Sequence, residues 1–170
     1  CFTDDDALAL KMKQVRNHGQ DRRYHHPIIG FNGRLDTLQA AILLAKFEIF
    51  ADEVAARNRI GQRYTELFSQ LDNPAIITPI IVPFNTSVYA QYTVQIEGRE
   101  KIQAQLQAQG IPTAVHYPVP LHLQPAFAGL NQNVGSFPVA EVFAQRVMSL
   151  PMHPYLRDED MKLIVKAMGN

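Results

Sequence analysis

Residues 88–96 read VYAQYTVQI, and this stretch decides the fold class. Its even-numbered positions are apolar or aromatic and its odd-numbered positions are mostly polar, so the period of two predicts a strand with one buried face. Gly98 ends the pattern. Arg99–Gln109 is predicted as a helix with Ile102 and Leu106 inward and Gly110 just past its end. Because residues 113–117 can return as a strand, the order predicts an α/β (α+β) sandwich with helices on one face of the sheet.

Two helical patterns precede this strand. Thr3 and the three aspartates after it favour a helix start, and this helix should stop near residues 17–19. Asp36 resembles an N-cap, with Gln39 completing a capping box, and an apolar stripe then runs from Thr37 to Leu71. One continuous helix of that length would span about 52 Å, so we expect a bend or break near Phe50 and Ala51.

The C-terminal part contains further short elements. Residues 76–78 and 80–82 are β-prone runs between prolines. Pro138 suits the first turn of a helix that we expect to end at Pro151. Its predicted inward face comprises Val139, Val142, Phe143, Arg146, Val147 and Leu150. Asp158–Met168 is predicted as a final helix, and its inward residues are Met161, Ile164, Val165 and Met168.

Composition excludes several classes of function. The 16 Lys and Arg residues balance the 16 Asp and Glu residues, so no overall field attracts nucleic acid or an anionic membrane. Apolar runs are too short for a membrane-spanning helix, which needs about 20 residues. Cys1 is the single cysteine, which excludes an internal disulfide and fits a cytoplasmic location.

A basic segment is the first candidate site. Residues 16–34 contain four arginines and three histidines against one carboxylate, Asp21. Arginine presents a planar fork to phosphate or carboxylate oxygens, and the free N–H groups of a helix start follow Asn32 and Gly33. The alternative is a solvated loop whose arginines pair with Asp4–Asp6.

His116 and Tyr117 form the second candidate. They stand at the end of a predicted strand, and the prolines that follow stiffen the segment, so a ring nitrogen and a phenol are presented at low entropic cost. Half-buried core residues with satisfied polar tips are an equal alternative. We assign no metal site, because His116 and His122 lack short ligand spacing to Asp or Glu. No Gly-x-Ser-x-Gly motif favours hydrolysis.

Several motifs together resemble one family. Residues 15–19 (VRNHG), 30–36 (GFNGRLD) and 39–43 (QAAIL) come first, then His116-Tyr117-Pro118, residues 121–125 (LHLQP) and residues 149–154 (SLPMHP). In order and spacing they are similar to the DegT/DnrJ/StrS sugar aminotransferases, which have the aspartate-aminotransferase fold (fold type I). The resemblance implies the C-terminal half of such a protein. It implies a remnant of the large cofactor-binding domain at 1–34, a long connecting helix at 35–72 and a small α/β domain at 73–170.

The resemblance also implies site roles. Asn32 matches the asparagine that reaches the phosphate of pyridoxal 5'-phosphate in the neighbouring subunit of a homodimer. Arg34 matches a position near the sugar nucleotide, and His116 and Tyr117 match a loop that touches the sugar. The Schiff-base lysine of the family would lie upstream of residue 1, so no catalytic residue is assigned and this chain by itself is expected to be inactive.

The implied reaction moves an amino group from an amino acid, expected to be glutamate, to a UDP-linked 3-keto hexuronic acid for bacterial lipopolysaccharide. Two other hypotheses stay open from the residues alone. One is a non-catalytic module that binds a nucleotide sugar or phosphate. The other is a dimerisation domain built on the long helix.

Overall fold

The computed structural model describes residues 1–71 and 73–169. The chain divides into two compact units, Cys1–Ile49 and Phe50–Asn170. The helical stripe predicted from Thr37 to Leu71 forms two helices, α2 and α3 below, and the chain leaves helical structure at Glu48 and Ile49. The expected break is therefore present, just before the predicted position.

The first unit contains two helices. Helix α1 spans Asp6–Arg16, and the side chain of Asp5 caps it by accepting from the Leu8 N–H at 3.0 Å. Helix α2 spans Thr37–Phe47, and its predicted N-cap Asp36 accepts from the Leu38 N–H at 2.8 Å. Both predicted helix starts are thereby confirmed, although Asp5, not Thr3, is the first cap.

The first unit has no apolar core of its own. Among residues 1–49, all of which the structure describes, Gly19 alone is buried. Helix α2 exposes several large apolar side chains, namely Leu38, Ile42, Leu43, Leu44 and Phe47. An exposed apolar face of this size is typical of a surface that another chain segment covers.

The second unit is built on a three-stranded antiparallel sheet with the order β1-β2-β3. The strands are β1 (Ile76–Ile77), β2 (Tyr92–Ile96) and β3 (Val147–Leu150). Helices α3 (Phe50–Ser69), α4 (Arg99–Ala108), α5 (Pro138–Arg146) and α6 (Asp158–Met168) belong to the same unit. Two 3-10 turns, Leu121–Leu123 and Pro125–Leu130, precede α5.

The core of this unit lies between one face of the sheet and its helices. Tyr92, Val94 and Met148 are fully buried, and on the helical side Tyr64 and Leu106 are fully buried with them. The ring of Tyr64 stacks on that of Tyr92 with centroids 4.8 Å apart. The predicted inward residues of α6 are all buried, which confirms that face.

The strand predicted from Val88 is shorter than expected. Val88 and Ala90 are exposed, whereas Tyr89, predicted to face outward, is buried. Tyr89 has a φ of 41°, outside the β region, so the alternation of side chains begins only at Tyr92. The Tyr89 ring then packs against Tyr92, with centroids 5.9 Å apart.

The helix predicted from Pro138 to Leu150 is wrong in its last four residues. The chain is helical only to Arg146, and Val147–Leu150 pairs with Gln95–Tyr92 as a strand. Arg99 spans the transition from helix to strand, because one terminal guanidinium nitrogen donates to the carbonyl oxygens of Ala144 and Val147. Val139, Val142 and Phe143, predicted inward, are exposed.

Of two other predicted strands, one does not form and the other is limited to a single bridge. Residues 80–82 do not form a strand, and residues 113–117 contribute one bridge, from Ala114 to Ser149. In both segments prolines flank or follow the run, and proline has no N–H to donate to a ladder.

Leu106→Ala tests the core. Leu106 is fully buried, so the lost contacts and the cavity should lower the free energy of unfolding by about 2–5 kcal/mol. Leu163→Ala is the matched control, because Leu163 is 56% exposed on α6 and its truncation should change stability by about 0.5 kcal/mol or less. Urea denaturation measures both variants, and equal losses would contradict this core.

Candidate functional site

Backbone pairing in the first unit positions the first candidate residues. Residues 16–18, at the end of α1, run antiparallel to residues 31–33, with a bridge between Asn17 and Asn32. His18 N–H donates to the Phe31 carbonyl at 3.0 Å, and Gly33 N–H donates to the Arg16 carbonyl at 2.8 Å. The segments VRNHG and GFNGRLD, which are 11 residues apart in the chain, are thereby held side by side.

Two glycines allow this close approach. Gly19 has a φ of 74°, in the left-handed region that favours glycine. A Cβ on Gly30 would overlap the backbone of Gly19 and of Val15. Both positions therefore require glycine, and the glycines of the two motifs have a structural role.

Arg34 is held by two amide side chains. Its Nε donates to Asn32 Oδ1 at 3.2 Å, and one terminal nitrogen donates to Asn17 Oδ1 at 3.0 Å. Asn17 in turn donates from Nδ2 to Gln20 at 3.3 Å. The amide oxygens of both asparagines are occupied. Within residues 1–71 and 73–169, Asn32 Nδ2 and the second terminal nitrogen of Arg34 make no hydrogen bond, so both can donate to a ligand.

A polar pocket of about 330 Å³ adjoins this network. Lys13, Arg16 and Arg34 contribute three cations to its lining, and Asp21 contributes the one carboxylate. His25 Nδ1 lies 2.6 Å from Asp21 Oδ1, and this hydrogen bond is the main reason why the pKa of Asp21 is lowered. Three cations against one carboxylate leave the pocket with a positive excess that suits an anion.

The alternative for this segment was pairing of its arginines with Asp4–Asp6. Within residues 1–49, all of which are described, no ion pair joins these groups. Asp21 instead pairs with Arg22 at 3.6 Å and lies 2.6 Å from His25 Nδ1. The segment is exposed, as that alternative expected, but its arginines are not neutralised in that way.

The second candidate cluster lies beside the sheet of the second unit. His116 is half-buried, and Tyr117 is 73% exposed. The two rings meet edge to face with centroids 5.6 Å apart. Tyr117 therefore presents its phenol to solvent, as expected for a ligand-binding group, whereas His116 is partly built into the fold.

Sequence reasoning missed the partner of His116. His116 Nδ1 lies 3.1 Å from Ser149 Oγ, and Ser149 Oγ lies 2.9 Å from Thr93 Oγ1. Ser149 begins the SLPMHP motif, but its segment was predicted as a helix, and that error hid its position opposite Thr93.

His122 also has a partner that spacing could not identify. Its Nε2 lies 3.0 Å from Glu141 Oε1, and both side chains are largely buried. Glu141 accepts further from the Gly135 N–H at 2.9 Å and the Phe137 N–H at 3.2 Å. This carboxylate therefore fastens the loop before α5 to the turn that carries His122.

Catalysis by the chain's own residues would need a reactive amine or a bound metal ion. All six lysines are exposed, so none has the buried surroundings that are typical of a Schiff-base lysine. Over residues 1–71 and 73–169, no group of three or more His, Cys, Asp or Glu side chains is arranged to hold a metal ion. No helix in those ranges is sufficiently long and apolar to cross a membrane.

Glu141→Gln tests the fastening of the loop. Hydrogen bonds from Gly135 chiefly, and also from Phe137 and His122, lower the pKa of Glu141. A lowered pKa in the folded state stabilises the protein above the unfolded value of about 4.3, and the effect is lost as pH falls through the lower folded pKa. We expect the variant to be less stable at pH 7, and the difference from the parent to shrink below about pH 4.

Thermal unfolding between pH 3 and pH 7 measures this difference. Glu100→Gln, at an exposed carboxylate on α4, is the control and should follow the parent closely. A Glu141→Gln deficit that stays constant with pH would contradict the electrostatic origin.

Comparison with known proteins places these features in a family. Residues 1–169 match the model of the DegT/DnrJ/EryC1/StrS aminotransferase family. The chain is 52% identical over 169 residues to a Pseudomonas aeruginosa protein named UDP-2-acetamido-2-deoxy-3-oxo-D-glucuronate aminotransferase. The matched region is 99% of this chain and 45% of that protein. It is 40% identical to an Acidithiobacillus ferrooxidans UDP-N-acetyl-3-dehydro-alpha-D-glucosamine 3-aminotransferase, with coverages of 95% and 42%.

The fold agrees with these relatives. A crystal structure of a DegT/DnrJ/EryC1/StrS aminotransferase from Brucella abortus is similar with a TM-score of 0.85 and 41% identity, covering 98% of this chain and 44% of that one. The predicted fold class and the resemblance drawn from the motifs are confirmed. The chain spans slightly less than half the length of the curated relatives it matches. It belongs to the DegT/DnrJ/EryC1/StrS aminotransferase family.

Proposed function

We propose that this chain is part of a pyridoxal-phosphate-dependent aminotransferase that transfers an amino group from glutamate to a UDP-linked 3-keto hexuronic acid. The observation that carries the proposal is a pair of donors on Asn32 and Arg34 that make no hydrogen bond in the described part of the chain, beside a cationic pocket, in a chain of this family. Two relatives bear the names of UDP-linked 3-oxo or 3-dehydro sugar aminotransferases, which supports this substrate class. The product serves lipopolysaccharide synthesis in the cytoplasm.

The first cluster would bind phosphate and carboxylate groups. Arg34 offers a charged donor to a pyrophosphate or to the carboxylate of a uronic acid. Asn32 would donate to a cofactor phosphate through its amide N–H without adding charge. Asn17 orients Arg34 by accepting a hydrogen bond from it. Because the amide oxygen is uncharged, the positive charge of Arg34 is not neutralised by this contact.

The second cluster would contact the sugar. Tyr117 is exposed and can donate or accept at a hydroxyl group of the sugar. His116 can form a hydrogen bond to the same sugar through Nε2, because its Nδ1 already lies within hydrogen-bond distance of Ser149. Both are groups with an apolar body and a polar tip, a combination typical of sugar sites.

The residues of this chain match some, but not all, of the groups that would hold pyridoxal phosphate. The Asn32 amide fits a phosphate-holding role, whereas no lysine of the chain has the buried surroundings of a Schiff-base former. Pyridoxal phosphate, when bound, supplies the electron sink for amino transfer. The chain's own share is to hold the phosphate through Asn32 and to orient the sugar nucleotide through Arg34 and His116.

We propose that the catalytic amine comes from a residue outside this sequence and that residues 1–170 alone are inactive. The exposure of all six lysines supports this proposal. We further propose that residues 1–34 are part of the large cofactor-binding domain, that residues 35–72 connect it to the small domain at 73–170, and that the whole protein is a homodimer. The lack of a core in the first unit and the apolar face of α2 support such packing.

An amino-transfer assay tests the reaction. The whole protein, loaded with pyridoxal phosphate, is incubated with [15N]glutamate and the UDP-linked 3-keto hexuronic acid. We expect 15N at carbon 3 of the sugar and one equivalent of the oxo-acid derived from glutamate, both detected by mass spectrometry. A protein that binds the UDP-sugar but transfers no nitrogen would instead be the non-catalytic module.

Arg34→Ala tests the assigned residue. Loss of a charge-assisted hydrogen bond should weaken apparent affinity for the sugar nucleotide roughly tenfold to a hundredfold. Arg23→Ala is the matched control, because Arg23 lies in the same exposed segment and its guanidinium stands over the Tyr24 ring instead. Equal effects of the two substitutions on KM would exclude a specific role for Arg34.

A subunit-mixing experiment tests the homodimer. Asn32→Ala is combined with a second variant that lacks the Schiff-base lysine, each inactive alone. Because Asn32 would serve the partner's site, each mixed dimer should contain one intact site and regain activity. No recovery after subunit exchange, verified by mass spectrometry, would contradict a site shared between subunits.

A further inference from the structure

Ser149 is a buried polar residue at the centre of the second candidate cluster. It is 5% exposed and lies on β3, directly opposite Thr93 of β2. Its neighbours in sequence, Met148 and Leu150, face the apolar core. Ser149 therefore points to the other face of the sheet, because successive side chains of a strand alternate.

The backbone of Ser149 is also paired on its other edge. Ala114 N–H donates to the Ser149 carbonyl at 3.1 Å, and Ser149 N–H donates to the Ala114 carbonyl at 2.7 Å. This single bridge brings residues 114–116 alongside β3. It places the His116 ring above the Ser149 hydroxyl, with Nδ1 and Oγ 3.1 Å apart.

The two hydroxyl groups and the imidazole form a chain of hydrogen bonds. Ser149 Oγ lies 2.9 Å from Thr93 Oγ1 and 3.1 Å from His116 Nδ1. A hydroxyl can donate once while it accepts, so Ser149 can serve both neighbours in either direction. In either direction Nδ1 is engaged, and the tautomer of the ring is fixed by whether Ser149 donates to it or accepts from it.

We propose that Ser149, supported by Thr93, is a positioning residue that holds the His116 ring in one orientation through Nδ1, with Nε2 directed to a ligand. The identity of that ligand, a sugar nucleotide, rests on the proposed function. Across residues 1–71 and 73–169, no hydrogen bond is made to His116 Nε2, so this nitrogen is the one left for substrate.

A direct chemical role for Ser149 does not fit its surroundings. Its hydroxyl is almost inaccessible, and its N–H and carbonyl are both committed to the bridge with Ala114. A nucleophile must reach a substrate atom, which this burial prevents. The hydroxyl acts through His116.

Ring-nitrogen NMR of the 15N-histidine-labelled chain tests the positioning. In the parent, we expect the His116 Nδ1 signal to have the chemical shift of a hydrogen-bonded ring nitrogen. Ser149→Ala removes the partner of Nδ1 and should shift this signal away from its hydrogen-bonded position. Ser69→Ala is the control, because Ser69 lies on the exposed surface of α3, and it should leave the His116 signals unchanged.

A pair of substitutions at Thr93 provides a second reading that does not depend on the folding of Ser149→Ala. Thr93→Val keeps the shape and removes the hydroxyl, so it should shift the His116 signals less than Ser149→Ala does. Thr93→Ser restores the hydroxyl and should return them to the parent values. Parent-like signals in Ser149→Ala, or in Thr93→Val if Ser149→Ala does not fold, would overturn the proposal.

Titration with UDP-glucuronate separates this proposal from the proposed function. If both hold, Ser149→Ala binds the probe about threefold to tenfold more weakly than the parent, and Thr93→Ser binds it as the parent does. If the ring signals shift but the parent does not bind the probe, the positioning role stands and the sugar-nucleotide assignment fails.

Discussion

The antiparallel pairing of β2 with β3 is the constraint on which the second unit depends. On one face of this ladder, Val94 and Met148 are opposite each other and enter the core with Tyr92. On the other face, the same register sets Thr93 opposite Ser149. A shift of one residue would exchange the two faces, burying hydroxyls in the core and removing the partner of His116. One register therefore specifies both stability and the candidate site.

The local patterns of the sequence were sufficient to locate the helices, apart from the end and the inward face of α5, but not to locate β3. Asp36, the stripe of α6 and Gly110 act within a few residues of themselves, so their patterns predicted helix boundaries correctly. The segment 147–150 follows α5 without a turn residue, and its strand conformation comes from pairing with residues more than 50 positions earlier. Tyr89 was misplaced because a positive φ ends the alternation locally.

The same distinction applies to the candidate site. Asn32, Arg34, His116 and Tyr117 were selected by motif, and the structure gives the first two a shared network and the last two a ring contact. The residues that orient Arg34 and His116 were not selected, because Asn17 and Ser149 act on partners 17 or more positions away. Supporting side chains of this kind are determined by tertiary contacts, and they decide whether a binding group points in a useful direction.

The central claim is that this chain supplies donors for phosphate and sugar to a site whose amine it does not contain. A crystal structure of the whole protein with pyridoxal phosphate and the UDP-linked sugar measures it most directly. The account predicts Asn32 Nδ2 within about 3 Å of a cofactor phosphate oxygen, and Arg34 and His116 at similar distances from the sugar nucleotide. A complex in which a lysine of residues 1–170 carries the cofactor, or in which Asn32 and Arg34 face solvent, would contradict it.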